Sequence, residues 1–225
     1  MAQLSEDERK LTLKLVYYGP ALSGKTTNLT HLHDALDPEL KGDMMVLETR
    51  NDRTLFFDAL PVGFRAPSGL LIKIKLYTVP GQVAHDSTRK AVLSRADGVV
   101  FVADSQVTQS INNGEAFENL ADNAARVGLD FDRLPLIVQF NKRDLPRVVG
   151  EVEILDRWRS TPWPVVFASA LTGDGVIQTL RMLLERVHDR VECEHRLQAE
   201  HGVGRDDFVR LVLGPDGAAL PICSH

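Results

Sequence analysis

A glycine-rich segment between a strand-like run and a helix-like stretch constrains the fold of this chain more than any other feature. Residues 19–26 read Gly-Pro-Ala-Leu-Ser-Gly-Lys-Thr and satisfy the pattern G-x-x-x-x-G-K-[ST]. The apolar run 11–18 comes directly before this loop, and residues 25–36, with leucines at helical spacing, follow it. In that context the loop amides and the helix N-terminus surround a phosphate group. The sequence therefore predicts a nucleoside triphosphate site on a strand–loop–helix unit.

The residues of this loop have separate predicted tasks. Lys25 reaches the β- and γ-phosphate oxygens, and Thr26 offers its hydroxyl to Mg²⁺. The amide of Thr27 reaches the α-phosphate. We expect nucleotide contacts from nine consecutive residues: Gly19, Pro20, Ala21, Leu22, Ser23, Gly24, Lys25, Thr26 and Thr27.

Strand-like and helix-like segments alternate along most of the chain. Two continuous apolar runs, Gly98–Ala103 and Leu136–Phe140, are typical of central parallel strands that are covered on both faces. Shorter strand-like runs are predicted at 44–48, 71–79 and 165–168, and helices at 87–96, 115–127, 152–159 and 176–190. This alternation predicts an α/β fold of the P-loop NTPase type, with a mostly parallel central sheet flanked by helices.

Length and pattern favour one domain over residues 1–191, followed by an appendage at 192–225 that is not a separate domain. Within the appendage, Phe208–Leu213 and Pro215–Ala219 resemble a small strand and a turn. The chain of 225 residues carries 31 acidic and 26 basic side chains, a net charge of −5, which argues against nucleic acid as a partner.

The compartment can be predicted from what the sequence carries at its ends and in its cysteines. Only Cys193 and Cys223 could form a disulfide, which favours a reducing compartment. The N-terminal residues have no apolar signal core, and no apolar run approaches the length of a membrane span. We expect a cytoplasmic protein without a direct membrane anchor.

A second motif indicates which base is bound. The motif Asn141-Lys142-Arg143-Asp144 directly follows the apolar run 136–140. A doubly wound sheet places ligand-contacting loops at this end of its strands. A carboxylate at Asp144 accepts hydrogen bonds from the ring N–H and the exocyclic amine of guanine, a donor pair that adenine lacks. Three residues at the end of the next strand, Ser169, Ala170 and Leu171, suit a backbone contact to the guanine oxygen.

These motifs resemble those of Ras-like small GTPases, and longer strings narrow the resemblance. The chain resembles the bacterial MglA-type GTPases of gliding motility and cell polarity over roughly residues 10–190. The matching strings are Val16-Tyr-Tyr-Gly-Pro, Ser23-Gly-Lys-Thr-Thr-Asn-Leu29, Asp52-Arg-Thr-Leu-Phe-Phe-Asp58, Leu76-Tyr-Thr-Val-Pro-Gly-Gln82 and Asp97-Gly-Val-Val-Phe-Val-Ala-Asp-Ser105.

The resemblance implies roles for residues that spacing alone does not assign. Gln82 orients the attacking water, and Arg53 acts as an arginine finger supplied within the chain. Thr78 stands where most Ras-like proteins have an aspartate that holds Mg²⁺ through water, so metal binding depends more on Thr26 and Thr54. Without the resemblance, Arg53 reads as a solvated charge beside Asp52.

The resemblance also implies a function and partners. It implies a GTP-binding switch with Mg²⁺ that hydrolyses GTP slowly alone and faster with a roadblock-domain homodimer as GTPase-activating protein. Effectors of polarity or motility read residues 49–58 and 78–90, and partners recruit the protein to a cell pole. Two alternatives stay open. One is a GTP-dependent binding module with little hydrolysis, because Ala21 replaces a usual glycine; the other is a P-loop kinase for a small molecule.

Overall fold

Eight strands form one sheet in the part of the chain that the computed structural model describes, residues 2–5, 9–47, 57–80 and 86–218. They are β1 (Gln3–Ser5), β2 (Lys10–Tyr18), β3 (Met45–Leu47), β4 (Phe57–Arg65), β5 (Leu71–Thr78), β6 (Gly98–Asp104), β7 (Leu136–Asn141) and β8 (Val165–Phe167). Their order across the sheet is β3-β4-β5-β2-β6-β7-β8, and β1 pairs antiparallel with β2.

The central part of the sheet is parallel. Strand β2 pairs in parallel with β5 on one side and with β6 on the other, and β7 and β8 continue the parallel series. Every residue of β6 and β7 is buried, which confirms the prediction from their continuous apolar runs. Parallel strands bring their carboxyl ends to one rim, where ligands bind in folds of this class.

Strand β4 was not foreseen as a strand. It pairs antiparallel with β3 and with β5, and it contains Pro61 and Gly63, residues that are depleted from strand interiors. The carbonyl oxygen of Pro61 accepts a hydrogen bond from the amide of Gly42, outside the β4–β5 ladder. Because the amide nitrogen of an antiparallel residue points to the same side as its carbonyl, the missing N–H of Pro61 costs the ladder nothing.

Helices cover both faces of the sheet. The described helices are α1 (Lys25–Ala35), α2 (Asp86–Leu93), α3 (Ser110–Arg126), α4 (Glu151–Trp158), α5 (Val176–His195), α6 (Leu197–His201) and α7 (Arg205–Ala218). One apolar cluster joins the sheet to α1, α5 and α7, and a second joins it to α2, α3 and α4. None of these helices is long and apolar enough to cross a membrane.

The C-terminal segment forms a helix where a strand was expected. The expectation for 208–213 is wrong, because α7 takes in these residues. The ring of Phe208 is fully buried, and it contacts Phe64 on β4 edge to face at 5.9 Å and His188 on α5 at 5.5 Å. Apolar side chains at 208, 209, 212 and 213 lie on the buried face of α7, a spacing that fits a helix rather than a strand. Helix α5 runs across the predicted boundary at 191, and the division of the chain there stays a prediction.

Candidate nucleotide-binding site

The candidate site lies at the rim where the parallel strands end. The phosphate loop follows β2, Asn141 is the last residue of β7 with residues 142–144 directly after it, and Ser169 lies just beyond β8. Hydrogen bonds between these loops join them into one surface. A parallel sheet thus brings together motifs that lie more than a hundred residues apart in the sequence.

Two glycines of the phosphate loop are required by close backbone approaches. Gly19 has φ 142°, and a Cβ there would lie 2.2 Å from the carbonyl oxygen of Val102 on β6. Gly24 has φ 96°, and a Cβ there would lie 2.2 Å from the side-chain nitrogen of Asn141. Any other residue would push the loop away from the strands that support it, so the loop holds its shape before a ligand arrives.

Lys25 is buried in the loop and turned back onto it. Its ammonium donates hydrogen bonds to the carbonyl oxygens of Gly19 at 3.1 Å and Pro20 at 2.6 Å. The pKa of Lys25 is lowered to about 7, mainly by burial and also by the Arg89 guanidinium, while the Asp58 carboxylate acts in the opposite direction. A charge that is desolvated to this degree is stabilised by a phosphate group placed against it.

Asn141 connects the phosphate loop to the base-side loops. Its side-chain nitrogen donates to the carbonyl oxygen of Ser23 at 2.8 Å, and its side-chain oxygen accepts from the amide of Ala170 at 2.8 Å. The residue is 1% exposed, so both bonds are shielded from water. The amide therefore fixes the spacing between the phosphate loop and residues 169–171.

Two of the three charged residues after Asn141, Lys142 and Asp144, are held by partners at the rim. The ammonium of Lys142 lies 2.7 Å from a carboxylate oxygen of Asp104, at the end of β6. Asp144 is exposed, and one of its carboxylate oxygens accepts a hydrogen bond from the hydroxyl of Ser169 at 2.6 Å. The backbone of Lys142 is left-handed, with φ 67°, and so is that of Leu22 in the phosphate loop, with φ 61°. Such backbone strain in residues other than glycine is typical of functional sites.

Asp58 is the acidic residue of the site that sequence reasoning missed. A cavity of about 360 Å³ opens beside the start of α1 and is lined by Thr26, Asp58 and Thr78 among others. The hydroxyls of Thr26 and Thr78 donate to one carboxylate oxygen of Asp58 at 2.6 and 3.1 Å, and the amide of Asp58 donates to the Thr78 hydroxyl at 2.9 Å. The signal was present in the sequence, because Asp58 alternates in register with Leu60 and Val62 on the buried face of β4.

A buried arginine fixes the backbone at the other side of the cavity. Arg89 on α2 is 1% exposed, and its Nε donates to the carbonyl oxygen of Pro80 at 2.9 Å. Its Nη1 donates to the side-chain oxygen of Asn119 on α3 at 2.8 Å, and the guanidinium lies over the Tyr18 ring, 5.4 Å from its centroid. Pro80 is the last described residue before 81–85, so Arg89 sets where that segment begins.

The same network holds the first turn of α2. Asp86 accepts hydrogen bonds from the side-chain amides of Asn123 at 2.7 Å and Asn119 at 3.2 Å. The bond from Asn123 is the main cause that lowers the pKa of Asp86 to about 2. The carboxylate is therefore ionised at neutral pH, and α2 is anchored to α3 by polar bonds rather than by apolar contact alone.

Most of the predicted site residues meet at this rim. They are Gly19 to Thr27 in and after the phosphate loop, Asn141, Lys142 and Asp144 at and after the end of β7, and Ser169, Ala170 and Leu171 after β8. The predicted catalytic residues Arg53 and Gln82 and the predicted metal ligand Thr54 lie outside the described residues. Their roles stay predictions.

Proteins of known family share this sequence pattern. The sequence profile of the ADP-ribosylation factor family (Arf) matches residues 68–187. The mutual gliding-motility protein MglA of Myxococcus xanthus is 43% identical over 187 residues, which are 83% of this chain and 96% of that protein. The ADP-ribosylation factor-like protein 6 of Caenorhabditis elegans is 26% identical over 192 residues, which are 81% of this chain and 90% of that protein.

The burial of Lys25 predicts that nucleotide binding takes up a proton. Its pKa is about 7 in the nucleotide-free chain, against an ordinary value of 10.5, so at pH 8.5 most of the molecules carry a neutral Lys25. A diphosphate against the amine favours the charged form and raises this pKa, so binding of GDP should take up close to one proton. Calorimetric titrations at pH 8.5 in buffers of different ionisation enthalpy measure the uptake. The uptake should fall to about half a proton at pH 7 and become small about one pH unit lower, and a buffer-independent enthalpy at pH 8.5 would contradict the assignment.

Proposed function

The chain belongs to the MglA-type small Ras-like GTPases, and from that premise we propose that it hydrolyses GTP to GDP and phosphate as a molecular switch that regulates cell polarity or gliding motility through effectors. The observation that carries this proposal is the Asn141 amide, which bonds the phosphate loop to the base-side loops at one rim. The arrangement supports one ligand that spans both, a guanine nucleotide.

Guanine selectivity is proposed to come from Asp144. The Ser169 hydroxyl bonds one carboxylate oxygen and so holds the side chain in place at the exposed rim. A carboxylate held in this way accepts from the two N–H donors of guanine, whereas adenine leaves it without partners. Sites built on such hydrogen bonds reject the wrong ligand by a factor of roughly 10⁴–10⁵.

Substitution of Asp144→Asn should reverse the base preference. The amide can donate to the additional carbonyl of xanthine, so affinity for xanthosine diphosphate should rise while affinity for GDP falls by at least about 100-fold. Competition titrations of the parent and the variant with GDP, xanthosine diphosphate and ADP measure the change. Asp174→Asn is the matched control, because Asp174 is also an exposed carboxylate and lies in the turn between β8 and α5. Equal affinity of the parent chain for ADP and GDP would overturn the guanine assignment.

Mg²⁺ is proposed to bind between the phosphate loop and β4. Thr26, Asp58 and Thr78 present oxygen atoms to the 360 Å³ cavity, and oxygen ligands are those that Mg²⁺ prefers. The Asp58 carboxylate thus supplies the negative charge that Thr78 lacks, with Thr54 as a further ligand. A Mg²⁺ ion held by these residues would neutralise charge on the β- and γ-phosphates. Asp58 itself holds the Thr26 hydroxyl, which orients that oxygen toward the site.

Substitution of Asp58→Asn should weaken the dependence of nucleotide retention on Mg²⁺. Removing an acidic group that positions a metal ligand costs about 10–100-fold in metal affinity, so more Mg²⁺ should be needed to slow GDP dissociation by half. Dissociation of a fluorescent GDP analogue, followed across a Mg²⁺ titration, measures this shift. Asp43→Asn, an exposed carboxylate between α1 and β3, is the control. An unchanged Mg²⁺ midpoint in Asp58→Asn would exclude Asp58 from the metal site.

Gln82 and Arg53 are proposed to carry the hydrolysis. Gln82 orients the attacking water, and Arg53 neutralises charge on the phosphoryl oxygens. The bond from Arg89 to the Pro80 carbonyl supports the first role, because Pro80 lies two residues before Gln82 and its position is fixed.

We further propose that intrinsic hydrolysis is slow and that a roadblock-domain homodimer accelerates it by aligning these residues. The switch then acts with motility or polarity effectors and is recruited to a cell pole by partners. Capture with GTP-loaded against GDP-loaded protein tests that recruitment.

Substitution of Arg53→Ala or Gln82→Ala should abolish stimulated hydrolysis. An arginine finger contributes about 10³–10⁵ in rate, so the stimulated rate should fall by at least about 1,000-fold while nucleotide affinity stays within a few-fold. Single-turnover phosphate release with the activator present measures it, and Arg157→Ala on α4 is the control. If Arg53→Ala is stimulated as strongly as the parent, the finger is not supplied by this chain. A parent chain that binds GTP but shows no turnover with the activator, and gains turnover with Ala21→Gly, would favour the binding-module alternative.

A further inference from the structure

One face of the described sheet carries two lysines, Lys73 and Lys75, with no acidic residue directly opposite them on the neighbouring strands. On β5, Lys73 and Lys75 are exposed and alternate with the buried apolar residues of that strand. Lys75 lies opposite Lys14 on β2 and Pro61 on β4. Lys73 lies opposite Thr12 on β2 and a glycine on β4. The face is therefore locally basic, although the chain as a whole has a net charge of −5.

This arrangement of cations works against the stability of the sheet. Like charges directly opposite each other on neighbouring strands are destabilising. The neighbouring cations affect the pKa of Lys14. Burial is the largest cause that lowers this pKa, Asp97 raises it, and Arg95 and Lys75 both lower it. The ammonium of Lys14 has a structural task, because it donates to the carbonyl oxygen of Ser94 at 3.0 Å, just beyond the end of α2. This hydrogen bond is made by Lys14 and does not account for the charge of Lys75.

A recess that can hold a ligand group lies beside these lysines. A cavity of about 200 Å³ lies between β2, β5 and the segment that follows α2. Its lining includes Lys14, Lys75, Arg95 and the half-buried Tyr77, together with hydroxyls from Thr12 and Ser94. Cations, hydroxyls and a phenol are the groups that bind carboxylates. The buried Asp97 also borders the cavity, and it already accepts a hydrogen bond from the amide of Lys14.

We propose that this recess, bordered by Lys14, Lys75 and Tyr77, is a docking surface for an extended acidic segment of a partner protein, with Lys73 as a neighbouring contact. Charge complementarity identifies the occupant, because the basic potential is local and the rest of the chain is acidic. An extended polyanion such as a membrane surface or a nucleic acid meets the repulsion of the whole chain. A short acidic segment meets only this face, and its carboxylates reach into the recess.

The position of the recess connects docking to the nucleotide site. Tyr77 immediately precedes Thr78, whose hydroxyl bonds Asp58 in the proposed metal site. On the other side, the recess is bordered by Ser94 and Arg95, which directly follow α2, the helix that Arg89 ties to Pro80. A partner in the recess thus contacts both β5, which leads to the nucleotide site, and the segment that directly follows α2. This link to the nucleotide rests on the proposed function, whereas the docking itself does not.

The test uses a defined acidic probe on the full chain loaded with GDP or with a non-hydrolysable GTP analogue. A fluorescein-labelled octapeptide of alternating Glu and Thr is titrated by anisotropy, and the same peptide with Gln in place of Glu is the uncharged control. Lys75→Glu should weaken binding of the acidic peptide at least about tenfold. Arg157→Glu on α4, which changes the net charge by the same amount, should weaken it less than about threefold. The melting temperature of Lys75→Glu should be equal or higher, because the repulsion with Lys14 is removed.

Each other outcome overturns the proposal. Failure of the acidic peptide to bind better than its Gln control removes the docking surface, and equal weakening by the two charge reversals reduces it to bulk charge. Stronger binding to vesicles with anionic lipid or to a single-stranded oligonucleotide, lost in Lys75→Glu, assigns the face to a different occupant. A lower melting temperature for Lys75→Glu gives the lysine a structural role. GDP affinity and stimulated hydrolysis are measured on the same samples. If the parent chain shows neither GDP binding nor stimulated hydrolysis, the proposed function is contradicted, and the peptide result is unaffected.

Discussion

The buried amide of Asn141 is the interaction on which the geometry of the site depends. It bonds the phosphate loop on one side and the backbone after β8 on the other, and it lies against the position where Gly24 has no side chain. Because both polar ends of the amide are satisfied away from water, moving either loop would leave a buried polar group without a partner, at a cost of about 1–3 kcal/mol. The loops are therefore spaced by the protein, before a nucleotide is bound.

Around this fixed frame the site holds several features that are unfavourable without a ligand. Lys25 is desolvated enough to lower its pKa to about 7. Leu22 and Lys142 keep left-handed backbones at a cost of roughly 1–3 kcal/mol each. These costs are borne by the packed sheet, in which β6 and β7 are buried along their whole length. A phosphate group restores the favourable charge state of Lys25, so the binding free energy includes relief of this desolvation.

Strand β4 joins parts of the molecule that the sequence keeps apart. One end carries Asp58, which bonds Thr26 at the start of α1, and the other end carries Phe64, which packs on Phe208 of α7. The C-terminal helix therefore shares its apolar core with the strand that shapes the proposed metal site. The relative MglA is matched over 96% of its length by 83% of this chain, so this chain is longer than that relative.

The sequence by itself determined the parts of the protein whose chemistry is local. The phosphate loop, the Asn141–Asp144 motif and the two fully buried strands can be read from consecutive residues, because each depends on a short pattern of glycine, charge or apolar side chains. The resemblance carried by longer strings identified the family, and the Arf profile and the MglA relative support it.

Only the tertiary structure decided the rest. Asp58 reached Thr26 through antiparallel pairing of β4 with β5, and Lys75 came to lie opposite Lys14 through the register of β5 with β2. The apolar spacing of 208–213 already fits a helix, but the partners of that helix, Phe64 on β4 and His188 on α5, were decided only by long-range packing.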